Sequence, residues 1–320
     1  MANEGKCAVV TGGAGFIGSH LVDELIQRGY DVRVIDNLAA GKKEQVNPKA
    51  EFHQVDIRDK EALSPIMKGA DYVFHLAALP RVQFSIDNPE EADAVNIGGT
   101  LNVLLAAKDA GVKRFVYSAS GSAYGEQQEV PFREEMHARP ISPYGLHKYV
   151  GEHYARVFSV VYGLPAVSLR YFNVYGSRLD PTGPYALVIA KFLQQRKDGQ
   201  VLTVTGDGEQ TRDFTHVRDV VRANILAAES GNVGAGEVIN VGAGRNMTVN
   251  RIAELVGGEV EYVPARLEPR HARADRSRAK ELLGWEPEVL IEKGVLELLR
   301  EWGLDCICDD KKCVCAFADD

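Results

Sequence analysis

Cys7-Ala8-Val9-Val10-Thr11-Gly12-Gly13-Ala14-Gly15-Phe16-Ile17-Gly18 is the stretch that decides the fold of this chain. A short apolar strand runs into a glycine-rich turn. The turn opens a helix whose Leu21, Val22, Leu25 and Ile26 share one apolar stripe. Gly12, Gly15 and Gly18 permit a tight turn and let the backbone approach a pyrophosphate at the helix N-terminus. A glycine triplet alone is often just a turn, but here it has the required strand before it and helix after it. The second strand, Asp31-Val32-Arg33-Val34-Ile35-Asp36, ends on a carboxylate eighteen residues past Gly18. A carboxylate there hydrogen-bonds ribose hydroxyls and repels a 2′-phosphate. The next residue is Asn37 and not arginine, so the pattern favours NAD over NADP. Asp56, at the end of the third strand, is placed to reach the adenine.

Outward from this unit, short Val/Ile-rich runs alternate with longer amphipathic segments, as in a parallel sheet covered by helices on both faces. Further strands are expected at 51–55, 71–76, 113–118 and 165–171, with helices near 59–68, 90–110 and 143–161. The rhythm predicts an α/β, doubly wound fold. Beyond about residue 172 it becomes irregular, with Gly/Pro-rich joints at 176–184, 206–208 and 242–244, which predicts a smaller interwoven lobe.

The 320 residues are 45% apolar and 26% charged, ordinary for a soluble globular protein. The formal charge of 37 − 45 = −8 argues against a nucleic-acid partner. No apolar run approaches the roughly 18 residues of a membrane helix, so no membrane partner is expected. Met1-Ala2-Asn3-Glu4-Gly5-Lys6 runs straight into the first strand without signal-peptide form, and a cytoplasmic location is expected.

Tyr144 and Lys148, in Ser142-Pro143-Tyr144-Gly145-Leu146-His147-Lys148, stand four residues apart and share a face if helical. Ser142 and Pro143 read as the N-cap and first helical residue. A free tyrosine ionises near pH ~10, and a fixed cation beside it favours the phenolate. By spacing alone, a solvated helix face that happens to carry a tyrosine and a lysine is the better explanation, because Tyr-x-x-x-Lys is common by chance. The dinucleotide loop upstream tips the reading toward a redox acid–base centre.

The ordered segments GGAGFIGSH (12–20), DN (36–37), HLAA (75–78), SASGSAYGE (118–126), SPYGLHK (142–148), LRYFNVYG (169–176), GDGEQTRDF (206–214) and ELLGWEP (281–287) resemble the extended short-chain dehydrogenase/reductases. Within them the chain is similar to NAD-dependent nucleotide-sugar 4-epimerases, over roughly residues 5 to 303. The resemblance implies a Rossmann-type NAD-binding domain from residues 1–172 plus about 213–242. It also implies a UDP-sugar-binding lobe from 173–212 plus 243–303, with a Cys-rich tail at 304–320. It places cofactor contacts at Gly12, Gly15, Phe16, Ile17, Gly18, Asp36, Asn37, Asp56, Ile57, Leu76, Ala77, Ala78, Asn96, Tyr144, Lys148 and Tyr171.

The family's catalytic hydroxyl lies four residues before the tyrosine of an S-x-x-x-Y-G segment, which here is Ser120 counted back from Tyr124-Gly125. The implied cycle begins when Tyr144 takes the sugar O4 proton with Ser120 bridging. NAD+ then accepts hydride from C4, the keto sugar turns, and hydride returns to the opposite face. Related dehydratases carry an Asp-Glu pair directly after the hydroxyl residue, whereas this chain has Gly121-Ser122, so 4,6-dehydration is not expected. A reductase would favour NADPH, which Asp36 disfavours. A silent NAD-binding regulator on the same fold is the non-enzyme alternative, and retention of Ser120, Tyr144 and Lys148 speaks against it.

For the substrate, the resemblance implies contacts from Ser120, Ser122 and Tyr144, with Asn173 and Arg212 on the diphosphate. Arg266 and Glu268 fall where the family contacts phosphate and uridine ribose, although Arg266-Leu267-Glu268-Pro269 departs from the usual pattern. Ala272, three residues before Asp275, matches the position beside the sugar C2 substituent, where a small residue admits an N-acetyl group. UDP-GlcNAc/UDP-GalNAc interconversion is thus expected first, with UDP-Glc/UDP-Gal beside it. A homodimer through the helices near 90–110 and 143–161 is a family implication. Cys306, Cys308, Cys313 and Cys315 allow a zinc site, a disulfide or a plain tail, and the plain tail is preferred, with no metal expected.

Overall fold

The structure, a computed structural model, describes residues 5–181, 187–265 and 269–306. Six parallel strands come first: β1 (Cys7–Thr11), β2 (Asp31–Ile35), β3 (Glu51–His53), β4 (Tyr72–His75), β5 (Arg114–Ser120) and β6 (Ala166–Tyr171). Four short strands follow, β7 (Val174–Tyr175), β8 (Leu202–Thr205), β9 (Thr211–Arg212) and β10 (Thr215–His216), then β11 (Ala235–Val241), β12 (Met247–Thr248) and β13 (Val260–Val263). The central sheet has the order β11-β6-β5-β4-β1-β2-β3 and is parallel throughout. The chain starts in the middle and winds outward both ways, so the reversal of direction falls between β1 and β4.

Alternation along each strand divides the core. Ala8 and Val10 of β1 face one layer and Cys7 and Val9 the other. Helices α1 (Phe16–Gln27) and α8 (Val217–Glu229) cover the first face, and α2 (Lys60–Met67), α5 (Thr100–Ala110) and α6 (Pro143–Tyr162) the second. Two short helices, α3 (Val82–Asp87) and α4 (Pro89–Asp93), precede α5. Beyond the sheet, α7 (Val188–Lys197), α9 (Val249–Val256) and α11 (Ile291–Glu301) share a third core with β8, while α10 (Ser277–Leu283) packs back onto the first. Among the described residues, no helix is long and apolar enough to cross a membrane.

The structure refines the sequence reading at two places that matter for the site. The helix expected over 90–110 is interrupted by a wider π turn, Ala94–Gly99. There the buried Asn96 side chain turns away to bond the backbone of Leu79, accepting from its N–H at 2.8 Å and donating to its carbonyl at 3.1 Å. Gly99 allows the close approach of Ile57, whose Cδ1 lies 2.5 Å from where a Cβ would stand. Secondly, β5 runs on to Ser120 rather than stopping at 118, carrying that hydroxyl to the carboxyl edge of the sheet.

Candidate active site

The loop after β1 is a cradle that side chains would fill. Gly12 has φ +73°, and a Cβ there would sit 2.7 Å from the amide nitrogen of Ala77. A Cβ on Gly18 would lie 2.1 Å from the carbonyl oxygen of Gly12. Gly15 caps α1 without a side-chain acceptor, so the amides of Phe16, Ile17 and Gly18 have the free character of a helix first turn. This suits an anion such as a pyrophosphate. The loop after β4 closes the cradle, with Leu76 and Ala77 donating their amides to the Thr11 carbonyl at 3.1 Å and its hydroxyl at 3.3 Å. Ala78 follows in the same half-buried loop.

Asp36 is 8% exposed at the edge of this cradle. Its two oxygens accept from the amides of Ala14 at 3.0 Å and Leu38 at 2.8 Å. Burial raises its carboxyl, and these two bonds work against the rise. Each oxygen keeps a second lone pair for a ribose hydroxyl. Asp56 is otherwise engaged: Arg58 holds it bidentately at 2.7 and 3.0 Å, and Asn37 donates to it at 2.9 Å. The Arg58 pairing brings its carboxyl down to about 2. Ile57 is a core residue beneath Gly99, and Tyr171 commits its hydroxyl to Asn224 at 2.8 Å. These two side chains belong to the packing under the site. The glycine cradle, bare helix start and Asp36 together fit a bound NAD.

The catalytic candidates converge on the adjoining strand ends. Ser142 caps α6 as the sequence predicts, accepting from the Gly145 amide at 3.1 Å, with Pro143 at the first helical position. Tyr144 therefore sits in the first turn, and its amide donates to the Ser85 hydroxyl at 3.0 Å. Its phenol lies close to Ser120, near enough for that hydroxyl to act on it electrostatically. Burial pushes that phenol up to about 12, and the nearby Ser120 hydroxyl acts in the lowering direction. Lys148, 3% exposed, donates to the Ser118 carbonyl at 2.7 Å and lies 5.1 Å from the centroid of the Tyr117 ring. Burial lowers its ammonium to about 8, opposed by the charge of Glu152. Ser122 completes the group by donating its hydroxyl to Ser120 at 2.8 Å. A serine–tyrosine–lysine set beside a dinucleotide cradle can move a proton at a substrate hydroxyl while the cofactor handles hydride.

The substrate candidates line the neighbouring lobe. Asn173, at φ +29°, donates to the Asp213 carbonyl at 3.3 Å. Arg212, in β9, donates to the Thr211 carbonyl at 3.0 Å and toward that of Arg270 at 3.4 Å. Ala272 packs against Tyr124, Phe132, Phe172 and Ala274, and its amide bonds Thr211 at 3.2 Å. The structure thus brings Ala272 and the Ser120 turn onto one small cluster. Arg266 and Glu268 lie outside the described residues, as do Cys308, Cys313 and Cys315. Cys306 is disulfide-bonded, and a bonded sulfur is not a thiolate ligand.

Three supporting residues escaped the sequence reading. Ser85 holds Tyr144, and nothing in the sequence pairs positions fifty-nine apart. Ser118 acts through its backbone carbonyl, so its side-chain identity is silent. Asp213 carried a signal, its place beside Arg212. It is fully buried, and one oxygen accepts from the amides of Ala274 at 2.9 Å and Gly244 at 3.0 Å.

Residues 8–242 match the NAD dependent epimerase/dehydratase family, and the chain belongs to it. It is 41% identical over 299 residues to a putative UDP-glucose 4-epimerase of Methanocaldococcus jannaschii, covering 90% of this chain and 95% of that protein. Among solved structures, the UDP-glucose 4-epimerase of Thermotoga maritima with UDP-glucose superposes with a TM-score of 0.87 at 44% identity. That match covers 92% of this chain and 99% of the other. A UDP-N-acetylglucosamine 4-epimerase from Methanobrevibacter ruminantium, in complex with UDP-N-acetylmuramic acid, gives a TM-score of 0.88 at 38% identity, covering 94% and 98%. The family is NAD-dependent, in agreement with the cradle and Asp36.

Gly18→Ala is expected to abolish NAD retention while the protein stays folded, because the new methyl meets the Gly12 backbone. Absorbance of cofactor released on denaturing the purified variant measures this, and wild-type occupancy would refute the cradle. The Asp213 carboxyl is raised by burial to about 6. Its charged form is disfavoured in the folded state, so its contribution to stability falls as pH rises from about 4 to about 6. Urea midpoints across that window should show this slope, and Asp213→Asn should flatten it.

Proposed function

We propose that the protein is a UDP-sugar 4-epimerase that interconverts UDP-GlcNAc and UDP-GalNAc, and UDP-Glc and UDP-Gal, by transient oxidation at C4. The observation that carries this reading is Lys148, buried and bonded to the Ser118 carbonyl at 2.7 Å, one helical turn past a Tyr144 that lies close to Ser120. NAD, when bound, supplies a hydride acceptor that becomes the hydride donor for the return step, so no net oxidation results.

The chain's own residues supply the rest. Tyr144 takes the proton from O4 and gives it back to the epimer, with Ser120 relaying and Ser122 fixing the Ser120 hydroxyl. The phenol's high starting value is a reason for Lys148 to be charged: a cation beside it favours the phenolate when the proton must leave. Asn173 and Arg212 bind the diphosphate, Arg212 in the charge-assisted manner open to a guanidinium. Arg266 and Glu268, outside the described residues, are assigned to the phosphate and uridine ribose on the family resemblance alone. Gly121 and Ser122 leave no acid–base pair for elimination across C5–C6, in favour of epimerisation over dehydration.

Ala272 supports acceptance of the N-acetylated sugars. It is small, its own amide bonds the Thr211 carbonyl, and the amide of Ala274 two residues on bonds Asp213, so this segment is held in place. A further part of this reading is a homodimer. Val157, Val160, Val161 and Tyr162 are 47%, 74%, 63% and 55% exposed along the last turns of α6, an apolar face suited to a second copy.

Proton NMR of separate UDP-GlcNAc and UDP-Glc incubations, without added NAD, should show the C4 epimer of each. Tyr144→Phe should lower kcat by about 10²-fold or more, the usual scale of a lost general base. Ala272→Tyr should depress turnover of UDP-GlcNAc far more than that of UDP-Glc. A 4-keto-6-deoxy product, or no turnover of any UDP-hexose by NAD-loaded wild type, would sink the assignment. For assembly, sedimentation should give a dimer for wild type and a monomer for Val160→Glu; a wild-type monomer refutes that part.

A further inference from the structure

Behind Ser120, Tyr144 and Lys148 lies a second buried charge cluster that the proton relay does not use. Glu152 stands four residues past Lys148 on the same face of α6 and is 3% exposed. Arg170 grips it bidentately, Nε to Oε1 at 2.8 Å and Nη2 to Oε2 at 2.7 Å. Arg170 is itself 3% exposed and lies on β6 between Leu169 and Tyr171, which face the opposite layer. Its guanidinium carbon sits 4.4 Å from the centroid of the Tyr124 ring. Tyr124 closes the turn Gly121–Tyr124 that starts directly after Ser120, and its hydroxyl donates to Asn240 at 2.8 Å.

A buried ion pair is weak evidence for stability, because an apolar pair of similar volume often serves as well. Its placement calls for another account. We propose that Glu152 and Arg170 are a positioning pair for the catalytic centre: Glu152 is the fixed counter-charge of the Lys148 ammonium, and Arg170 holds the Ser120–Tyr124 turn against α6. The proposal rests on Lys148 and Ser120 acting as described above.

The groups facing Lys148 come from four elements. His75 of β4 is held down to about 3 by burial and then by Lys148 itself, and is neutral. Tyr117 of β5 is raised well above its ordinary value by burial and is neutral. On α6, burial lowers His147, and burial raises Tyr144 to about 12, so both are uncharged at neutral pH. Arg170 of β6 is a cation. Glu152 is thus the anion of this set. Burial raises its carboxyl, and the bidentate guanidinium of Arg170, which pairs with the charged form, opposes that rise. Burial favours a neutral Lys148, whereas the anion one turn away favours the ammonium. Without Glu152, Lys148 sheds its proton at lower pH and its support of the Tyr144 phenolate goes with it.

Glu152→Gln alone strands the Arg170 charge and endangers folding. The deciding variant therefore combines Glu152→Gln with Arg170→Met, leaving no buried charge of the pair. It should fold, with KM for UDP-glucose within about twofold of wild type and kcat down about tenfold. The Lys148 titration, followed in the substrate-free protein by NMR of lysine labelled at ε-carbon, should fall by about one pH unit. The alkaline limb of kcat should move the same way. A folded double variant with wild-type Lys148 titration and kcat would reduce the pair to a structural role. Arg170→Lys keeps the charge but loses the planar fork and stack. It should leave the Lys148 titration in place and lower kcat, and an unchanged kcat would overturn the Arg170 half. If Lys148→Met turns over normally, the catalytic reading of Lys148 fails. The titration of Lys148 in the double variant still decides whether Glu152 is its counter-charge.

Discussion

The ammonium of Lys148 is taken almost wholly out of water and donates to the carbonyl of Ser118 at 2.7 Å. Removing a charge from solvent is expensive unless it is met by oriented dipoles or an opposite charge. This contact therefore ties α6 to the carboxyl end of β5 at a fixed register. Tyr144 follows by helix geometry, one turn earlier on the same face. Ser120 follows by strand geometry, two residues past Ser118 and so on the same side of the sheet. The close approach has a steric permit as well. Gly151 of α6 lies over Tyr117, whose hydroxyl is 2.1 Å from where a Cβ would stand. Glycine inside a helix costs roughly 0.5–1 kcal/mol relative to alanine, and here it admits the ring that forms the floor beneath Lys148.

Electrostatics around Tyr144 then divide the work between protein and ligand. Burial alone makes its phenol a weaker acid, to about 12, which is the wrong direction for a base at neutral pH. Ser120 counters part of that. The larger correction must come from positive charge, and the site is arranged to concentrate it: a lysine held charged in a low-dielectric setting, beside a cradle that receives an oxidised nicotinamide dinucleotide. In the proposed role, a tyrosine made competent by its cofactor suits a reaction that begins and ends with the same oxidised cofactor.

The sheet and the cradle were legible because their signals are local. Gly12 and Gly18 are forced by contacts within a dozen residues or with the next strand-end loop, and Ser142-Pro143 announces its helix by capping alone. Asp36 was legible for the same reason, as the last residue of an unmistakable strand. What the sequence hid is long-range or carried by the backbone. The π turn at Ala94–Gly99 exists because Asn96 reaches the Leu79 backbone, a tertiary bond that overrides a good helical pattern. Ser85, the Ser118 carbonyl and the fully buried Asp213 act across gaps of thirty to sixty positions. Asp56 shows the converse, a residue in the expected place whose carboxylate is already shared between Arg58 and Asn37.

The packing around Ala272 bears on the sugar preference proposed for this residue. Tyr124, Phe132, Phe172 and Ala274 form one aromatic cluster, with Ala272 packed at its rim. Tyr124 leads back through its turn to Ser120. Ala274 leads through its amide to Asp213, and so to Arg212 on the preceding position. The Ser120 turn and the Ala272–Ala274 segment are thus anchored on the same rings. Such a frame does not slide to follow a larger or smaller substrate, since packed interiors resist deformation. On the reading proposed above, room for a bulkier sugar is made by side-chain volume at the rim, at position 272.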